Sequence, residues 1–169
     1  MVNAIISKDS VPFTALKELR ICSSDLGDAG ASAISLLLKS TAMKRRHLDP
    51  SVESSPEPEW KLEYIDLTNN DIGQAGGLVL GKSLCVGMNR TLATLILDHN
   101  PLGLEGVASL CKGLATNSTL RKLSLKYCNI DSRGGTPLGD ILTFKKTSII
   151  SLDVSRNQPL QLIASGSFQ

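Results

Sequence analysis

Apolar residues return to the same places five times along the chain. The phrase runs Leu16-x-x-Leu19-x-Ile21-x-x-Ser24, then Leu62-x-x-Ile65-x-Leu67-x-x-Asn70, Leu92-x-x-Leu95-x-Leu97-x-x-Asn100, Leu120-x-x-Leu123-x-Leu125-x-x-Cys128 and Ile149-x-x-Leu152-x-Val154-x-x-Asn157. Alternation through the middle of each phrase is the period of a strand with one buried side. Two places after each of the first four phrases stands an aliphatic residue (Leu26, Ile72, Leu102, Ile130), and six places after it a glycine (Gly30, Gly76, Gly106, Gly134). Ten and fourteen places on come Ile34, Leu80, Leu110, Leu138 and then Leu38, Leu84, Leu114, Leu142, a spacing of four that marks one side of a helix. Each unit reads strand, turn, helix, and buries its apolar side only against its neighbours. The predicted fold is an α/β right-handed solenoid of four full repeats and one partial, with a parallel sheet on its concave side and helices on its convex side. It forms one domain over residues 1–160, followed by a tail at 161–169.

Three departures from the repeat shape this expectation. The phrases start 46, 30, 28 and 29 residues apart, so the first interval holds an insertion, 44–61. It joins Lys44, Arg45, Arg46 and His47 to a proline-rich acidic run ending at Glu59, a composition that forms neither core nor helix and reads as a protruding loop. The loop is a tolerated insertion or a partner-binding one; Ser55-Pro56 offers a proline-directed phosphorylation site, and Trp60 is expected to pin the loop. In the fourth repeat Pro137 stands where the others carry Ala33, Val79 and Ser109, which predicts a short helix capped at Thr136 and ending near Phe144. At the ends, residues 1–15 suffice for a partial cap, and the pattern stops after Leu160, with Ile163 in the place of the glycine. An incompletely capped stack implies either a fragment or a chain that lives in a larger assembly covering its C-terminal end.

The residue that closes each phrase faces a backbone problem. The chain turns sharply out of the strand, leaving peptide groups that a buried asparagine satisfies with both donor and acceptor, stacking from repeat to repeat. Asn70 and Asn100 suit this ladder, Ser24 and Cys128 serve it less fully, and Asn157 closes it in the last turn, where Gln158-Pro159-Leu160 carries one residue more than the other repeats. In these residues the chain resembles the ribonuclease-inhibitor-like class of leucine-rich repeats over about residues 16–160. That resemblance implies a horseshoe of strands and helices and a binding role, since members include enzyme inhibitors, activators of the Ran GTPase, innate immune receptors, actin-filament cappers and axonemal proteins. It carries no partner-contacting residue across.

Composition narrows the function classes. The net charge of +2 is too small for a dedicated nucleic-acid or lipid-head-group binder, so neither partner is expected. Ile5 and Ile6, followed by Lys8 and Asp9, are too short an apolar stretch for a signal peptide or membrane span, which reads as cytoplasmic, with cytoskeletal or ciliary association implied by the resemblance. Cys22, Cys85, Cys111 and Cys128 lack metal or redox spacing. Asn89-Arg-Thr91 and Asn117-Ser-Thr119 match the glycosylation sequon and read as chance. Gly76 to Ser83 satisfies the phosphate-loop pattern G-x-x-x-x-G-K-[ST], with Leu95-Ile-Leu-Asp98 resembling its acidic strand. That loop needs a strand ending just before its first glycine, whereas here the strand ends near Leu67 and the repeat register makes 77–84 helical. Nucleotide binding is therefore a remote alternative. With only His47 and His99 and no paired carboxylates, no enzyme or cofactor is expected.

What remains is the concave face. Its rows are Glu18/Tyr64/Thr94/Lys122/Ser151, Arg20/Asp66/Ile96/Ser124/Asp153 and Cys22/Thr68/Asp98/Lys126/Ser155, with His99 beside Tyr127 at the upper rim and Arg156 following. The expected reading is a non-catalytic protein-binding module using Arg20, Tyr64, Asp66, Ile96, Asp98, His99, Lys126, Tyr127 and Arg156, because aromatic and arginine side chains dominate interface energetics. The alternative is a regulator of an enzyme, a GTPase activator or inhibitor, on the same fold.

Overall fold

The computed structural model describes residues 16–43, 62–85, 88–143 and 148–159. The partial cap at 1–15, the insertion with Trp60, Phe144, and the tail from Leu160 onward lie outside the described residues.

Strands and helices alternate as β1 (Glu18–Arg20), α1 (Gly27–Met43), β2 (Tyr64–Asp66), α2 (Gln74–Leu84), β3 (Thr94–Ile96), α3 (Gly103–Leu114), β4 (Lys122–Ser124), α4 (Gly135–Thr143) and β5 (Ser151–Asp153). The five strands pair in parallel in chain order. Register places Glu18, Tyr64, Thr94, Lys122 and Ser151 in one row and Arg20, Asp66, Ile96, Ser124 and Asp153 in another. Between them Ile65, Leu95 and Leu123 point inward and are fully buried with Leu67, Leu97 and Leu125. Ile34, Leu80, Leu110 and Leu138 close the core from the helix side. Burying each such side chain stabilises the fold by about 1.5–3 kcal/mol. Among the described residues the first and last repeats have one neighbouring repeat instead of two, and there Leu16, Leu19, Ile21, Ile149, Leu152 and Val154 are only partly buried.

Glycine brings α2 and α3 unusually close. A Cβ on Gly77 would meet the backbone of Gly106, one on Gly81 the carbonyl of Ser109, and one on Gly113 the carbonyl of Gly81. On the other side of α2, the Ser35 hydroxyl donates to the Val79 carbonyl at 2.9 Å. The residues forming the phosphate-loop pattern are therefore a helix and its packing surface.

Helix α4 departs from the sequence expectation. It starts at Gly135, not at a Thr136 cap, and is led in by a single 3-10 turn, Ser132–Gly134, capped where the Asp131 carboxylate accepts the Arg133 N–H. Pro137 is then the third helical residue, where no intrahelical N–H bond is required. Leu142, expected on the buried side with Leu38, Leu84 and Leu114, is 47% exposed. Leu138 and Ile141 keep the buried register of Leu80 with Ser83 and Leu110 with Gly113, and among the described residues no further helix packs over Leu142.

Candidate protein-binding face

The strand ends are held by an asparagine ladder. Asn70 Oδ1 accepts from the Ser24 and Leu26 N–H groups at 3.0 and 3.4 Å, and Asn100 Oδ1 from Asn70 and Ile72 at 3.1 and 3.0 Å. Asn157 Oδ1 accepts from Cys128 and Ile130 at 2.8 and 3.2 Å. Each Nδ2 returns a bond to the preceding repeat, as Asn100 does to the Leu67 carbonyl at 2.9 Å. Cys128 donates its thiol to the Leu97 carbonyl at 3.2 Å, and Ser24 bonds only its own turn, to Cys22. In the third repeat the Leu102 N–H turns back to the Asn100 carbonyl at 2.7 Å. Two residues account for this: Cys128 brings no amide oxygen to receive that N–H, and Pro101 cannot take the φ near +50° of the equivalent Asp25, Asp71 and Asn129.

One residue earlier lies the upper rim. Ser23, Asn69, His99, Tyr127 and Arg156 all have positive φ, between 51° and 63°. A left-handed backbone is costly for bulky side chains and persists here because the sheet bonds continue through it: the Asn69 N–H donates to Asp98 and the His99 N–H to Lys126. The conformation turns these side chains out of the sheet in one line. His99 and Tyr127 stack with ring centroids 4.4 Å apart and planes 19° apart, and Tyr127 stays 48% exposed. Arg156 is exposed beside them.

Lower on the face the polar groups form two knots. Across β1 and β2 the Arg20 guanidinium lies 4.5 Å from the Tyr64 ring centre and pairs with Glu18 at 3.3 Å. Asp66 accepts from the Thr68 hydroxyl at 2.6 Å and from its N–H at 3.0 Å. Partial burial, and then the Asp66 carboxylate, raise the Tyr64 phenol above its ordinary range. Across β3 to β5 the Asp98 carboxylate accepts from the Ser124 hydroxyl at 2.6 Å and the Lys126 N–H at 2.9 Å. The Lys126 ammonium sits 4.0 Å from Asp98 and 3.2 Å from Asp153. The Ser155 N–H and hydroxyl, followed by Lys126, hold the Asp153 carboxyl below the usual range. Ile96 is half-buried between the knots. The structure thus gathers Arg20, Tyr64 and Asp66 at one end and Asp98, His99, Lys126, Tyr127 and Arg156 at the other.

Three features escaped the sequence reading. The Asp28 carboxylate, at the start of α1, accepts the Gly73 and Gly76 N–H groups at 2.8 Å each, capping the next helix and occupying the amides that a phosphate would need. The two sequons are structural rather than chance. Asn89 and Asn117 are buried, and their Oδ1 atoms accept Leu92 and Leu120 N–H groups at 2.9 and 2.7 Å where the chain re-enters the sheet. Asn117 Nδ2 also donates to the Leu84 carbonyl at 2.8 Å, so a second ladder runs along the lower edge. The third is the left-handed rim. Only the recurring Asn-x-Thr before the strand could have signalled any of these.

Residues 14–35, 61–81, 89–111 and 116–139 match the family described as Leucine Rich repeat. The chain is a leucine-rich-repeat protein. This leucine-rich-repeat chain is of the ribonuclease-inhibitor-like kind: it is 30% identical over 135 residues to the mouse ribonuclease inhibitor, covering 78% of this chain and 25% of that protein. It is 31% identical over 145 residues to human NACHT, LRR and PYD domains-containing protein 7, covering 85% of this chain and 13% of the relative. It therefore spans a quarter or less of the length of these two relatives. The solved structure of leiomodin-1 actin-binding site 2 superposes with a TM-score of 0.61 at 16% identity, covering 82% of this chain and 69% of that one, a likeness of fold. Leucine-rich-repeat proteins are in general protein-interaction modules. Among the described residues no helix is long and apolar enough to cross a membrane.

Proposed function

We propose that this leucine-rich-repeat chain is a non-catalytic protein–protein interaction module that grips its partner across the concave strands and the upper rim. The observation that carries this reading is the exposed His99–Tyr127 stack, held in a left-handed backbone next to Arg156. Such a rigid aromatic–arginine group, already ordered, loses little entropy on binding, which is the character of an interface anchor. Arg20, Tyr64, Asp66, Ile96, Asp98 and Lys126 fill the rest of the contact surface. The partner is another protein within an intracellular, cytoplasmic complex. The four cysteines, all unpaired thiols, fit that reducing compartment.

The test is affinity purification of the native chain with mass spectrometry, beside the His99→Ala/Tyr127→Ala variant and a deletion of residues 45–59. A specific partner retained by the deletion and lost by the rim variant supports the reading. Partner recovery unchanged by the rim variant refutes it.

Similarity to the mouse ribonuclease inhibitor favours a second reading, in which the bound partner is an enzyme whose activity falls. Titrating a ribonuclease with the chain decides it: unaltered turnover in molar excess of the chain removes that target.

A further inference from the structure

We propose, resting on the interaction-module reading, that the partner presents a charge-split segment, basic where it crosses β1–β2 and acidic where it crosses β4–β5, with an apolar or aromatic side chain against the His99–Tyr127 stack between them. Several charges on this face are already paired. Glu18 pairs with Arg20, and Lys126 is shared by Asp98 and Asp153, which leaves one negative charge over in that second group. Among the described residues, the charges on the strands and rim and just outside them that lack an ion pair separate by sign. Asp66 on β2, flanked by Asp25, Glu63 and Asp71 in the segments just before and after the strands, lies at the β1–β2 end with Lys17 as their one opposing cation; Lys122 on β4 and Arg156 on the rim lie at the β4–β5 end. Arg121 joins the basic end, its guanidinium donating to the Ser148 carbonyl at 3.1 Å. All of these but the half-buried Asp66 are exposed.

A uniformly acidic segment would be attracted by one end and repelled by the other, and so would a uniformly basic one. Only a segment of both signs meets attraction at each. Parallel strands stand about 4.8 Å apart, which puts the centres of the two ends roughly 14 Å from each other. An extended peptide rising about 3.3 Å per residue covers this in about four residues. The chemistry that fits is therefore a short basic block and a short acidic block around a central large side chain.

Fluorescence anisotropy on the full chain at low salt tests this with labelled Lys-Arg-Lys-Trp-Glu-Asp-Glu, the same peptide reversed, and all-acidic and all-basic peptides of equal length around the same tryptophan. The expected result is that one charge-split peptide binds about tenfold more tightly than either uniform peptide, and that added salt removes the difference. The Lys122→Glu/Arg156→Glu variant, altered only at exposed positions and checked for native circular dichroism, should then prefer the all-basic peptide. A uniform peptide or single-stranded oligonucleotide binding the native chain at least as well, no binding by any peptide, or an unchanged order in the variant overturns the proposal. If the rim variant loses its partner in affinity purification while the charge-split peptide has no advantage, the module reading stands and this inference falls. If the rim variant keeps its partner, the module reading itself fails.

Discussion

Asn100 shows how much of this fold rests on single buried amides. Its Oδ1 serves two N–H groups of the preceding repeat, and its Nδ2 reaches the carbonyls of Leu67 and Leu97 at 2.9 Å each and of Asp98 at 3.2 Å. Alanine there strands several buried backbone groups, each costing about 1–3 kcal/mol, so Asn100→Ala should lower stability by roughly 3–5 kcal/mol in urea unfolding. A loss below about 1 kcal/mol would mean that water takes over the bonds. Cys128, in the same ladder, and Cys111, in α3, carry a second prediction. Burial pushes both thiols up to about 12. A thiol whose folded value lies above its unfolded one favours the fold fully below about pH 8.5, and that contribution is lost as pH rises towards 12. The urea midpoint should fall across this window, and less steeply in Cys111→Ala and Cys128→Ala. In native protein at mildly alkaline pH a thiol reagent should reach Cys22 first, even though partial desolvation and the Asp66 carboxylate raise that thiol too. Cys111 and Cys128 should react only with denaturant present.

At the scale of elements, the packing of α2 on α3 reverses an ordinary rule. Replacing a helical glycine by alanine usually stabilises a helix by close to 1 kcal/mol. At Gly81 and Gly113 the added Cβ would strike main-chain oxygens, which cannot swing aside as a side chain would. Gly81→Ala and Gly113→Ala should therefore each destabilise by about 1–3 kcal/mol, and a raised melting temperature in either would show the helices free to separate. Glycine six places after each phrase was legible in the sequence; the need for Gly77, Gly81 and Gly113 was not, because it arises between two helices rather than within either. Asp28 was hidden for the same reason. Its carboxylate caps α2 from α1, a relation across 45 residues that no local capping pattern records. Asp28→Ala should cost about 1–2 kcal/mol, more than Asp28→Asn, which keeps an acceptor and loses only the charge facing the helix N-terminus. Equal losses in chemical unfolding would remove the charge from the account. The exposure of Leu142 was hidden in sequence because burial at that position depends on a following helix, and among the described residues none packs against α4 on that side.

For the whole molecule, the fold was readable because a stack repeats one local problem: Leu67, Leu97 and Leu125 are buried for the same reason in consecutive repeats. The concave rows followed from the strand period alone. The left-handed rim did not, since positive φ at His99, Tyr127 and Arg156 runs against residue preference and is imposed by neighbouring strands. The same nearest-neighbour logic governs how the molecule opens. In a stack, each repeat's stability is its own plus that of two interfaces, and an end repeat has one. Leu19 and Ile21 at one end, and Leu152 and Val154 at the other, are only partly buried, while Leu95 and Leu97 in the middle are fully so. Helix α2, moreover, is packed on both sides, between α1 and α3. Hydrogen exchange followed by mass spectrometry should therefore show protection falling outward from β3 and α3 towards β1 and β5, with the ends opening at lower free energy than the middle. Uniform protection from β1 to β5 would instead mean that all five strands unfold as one unit, with end fraying absent.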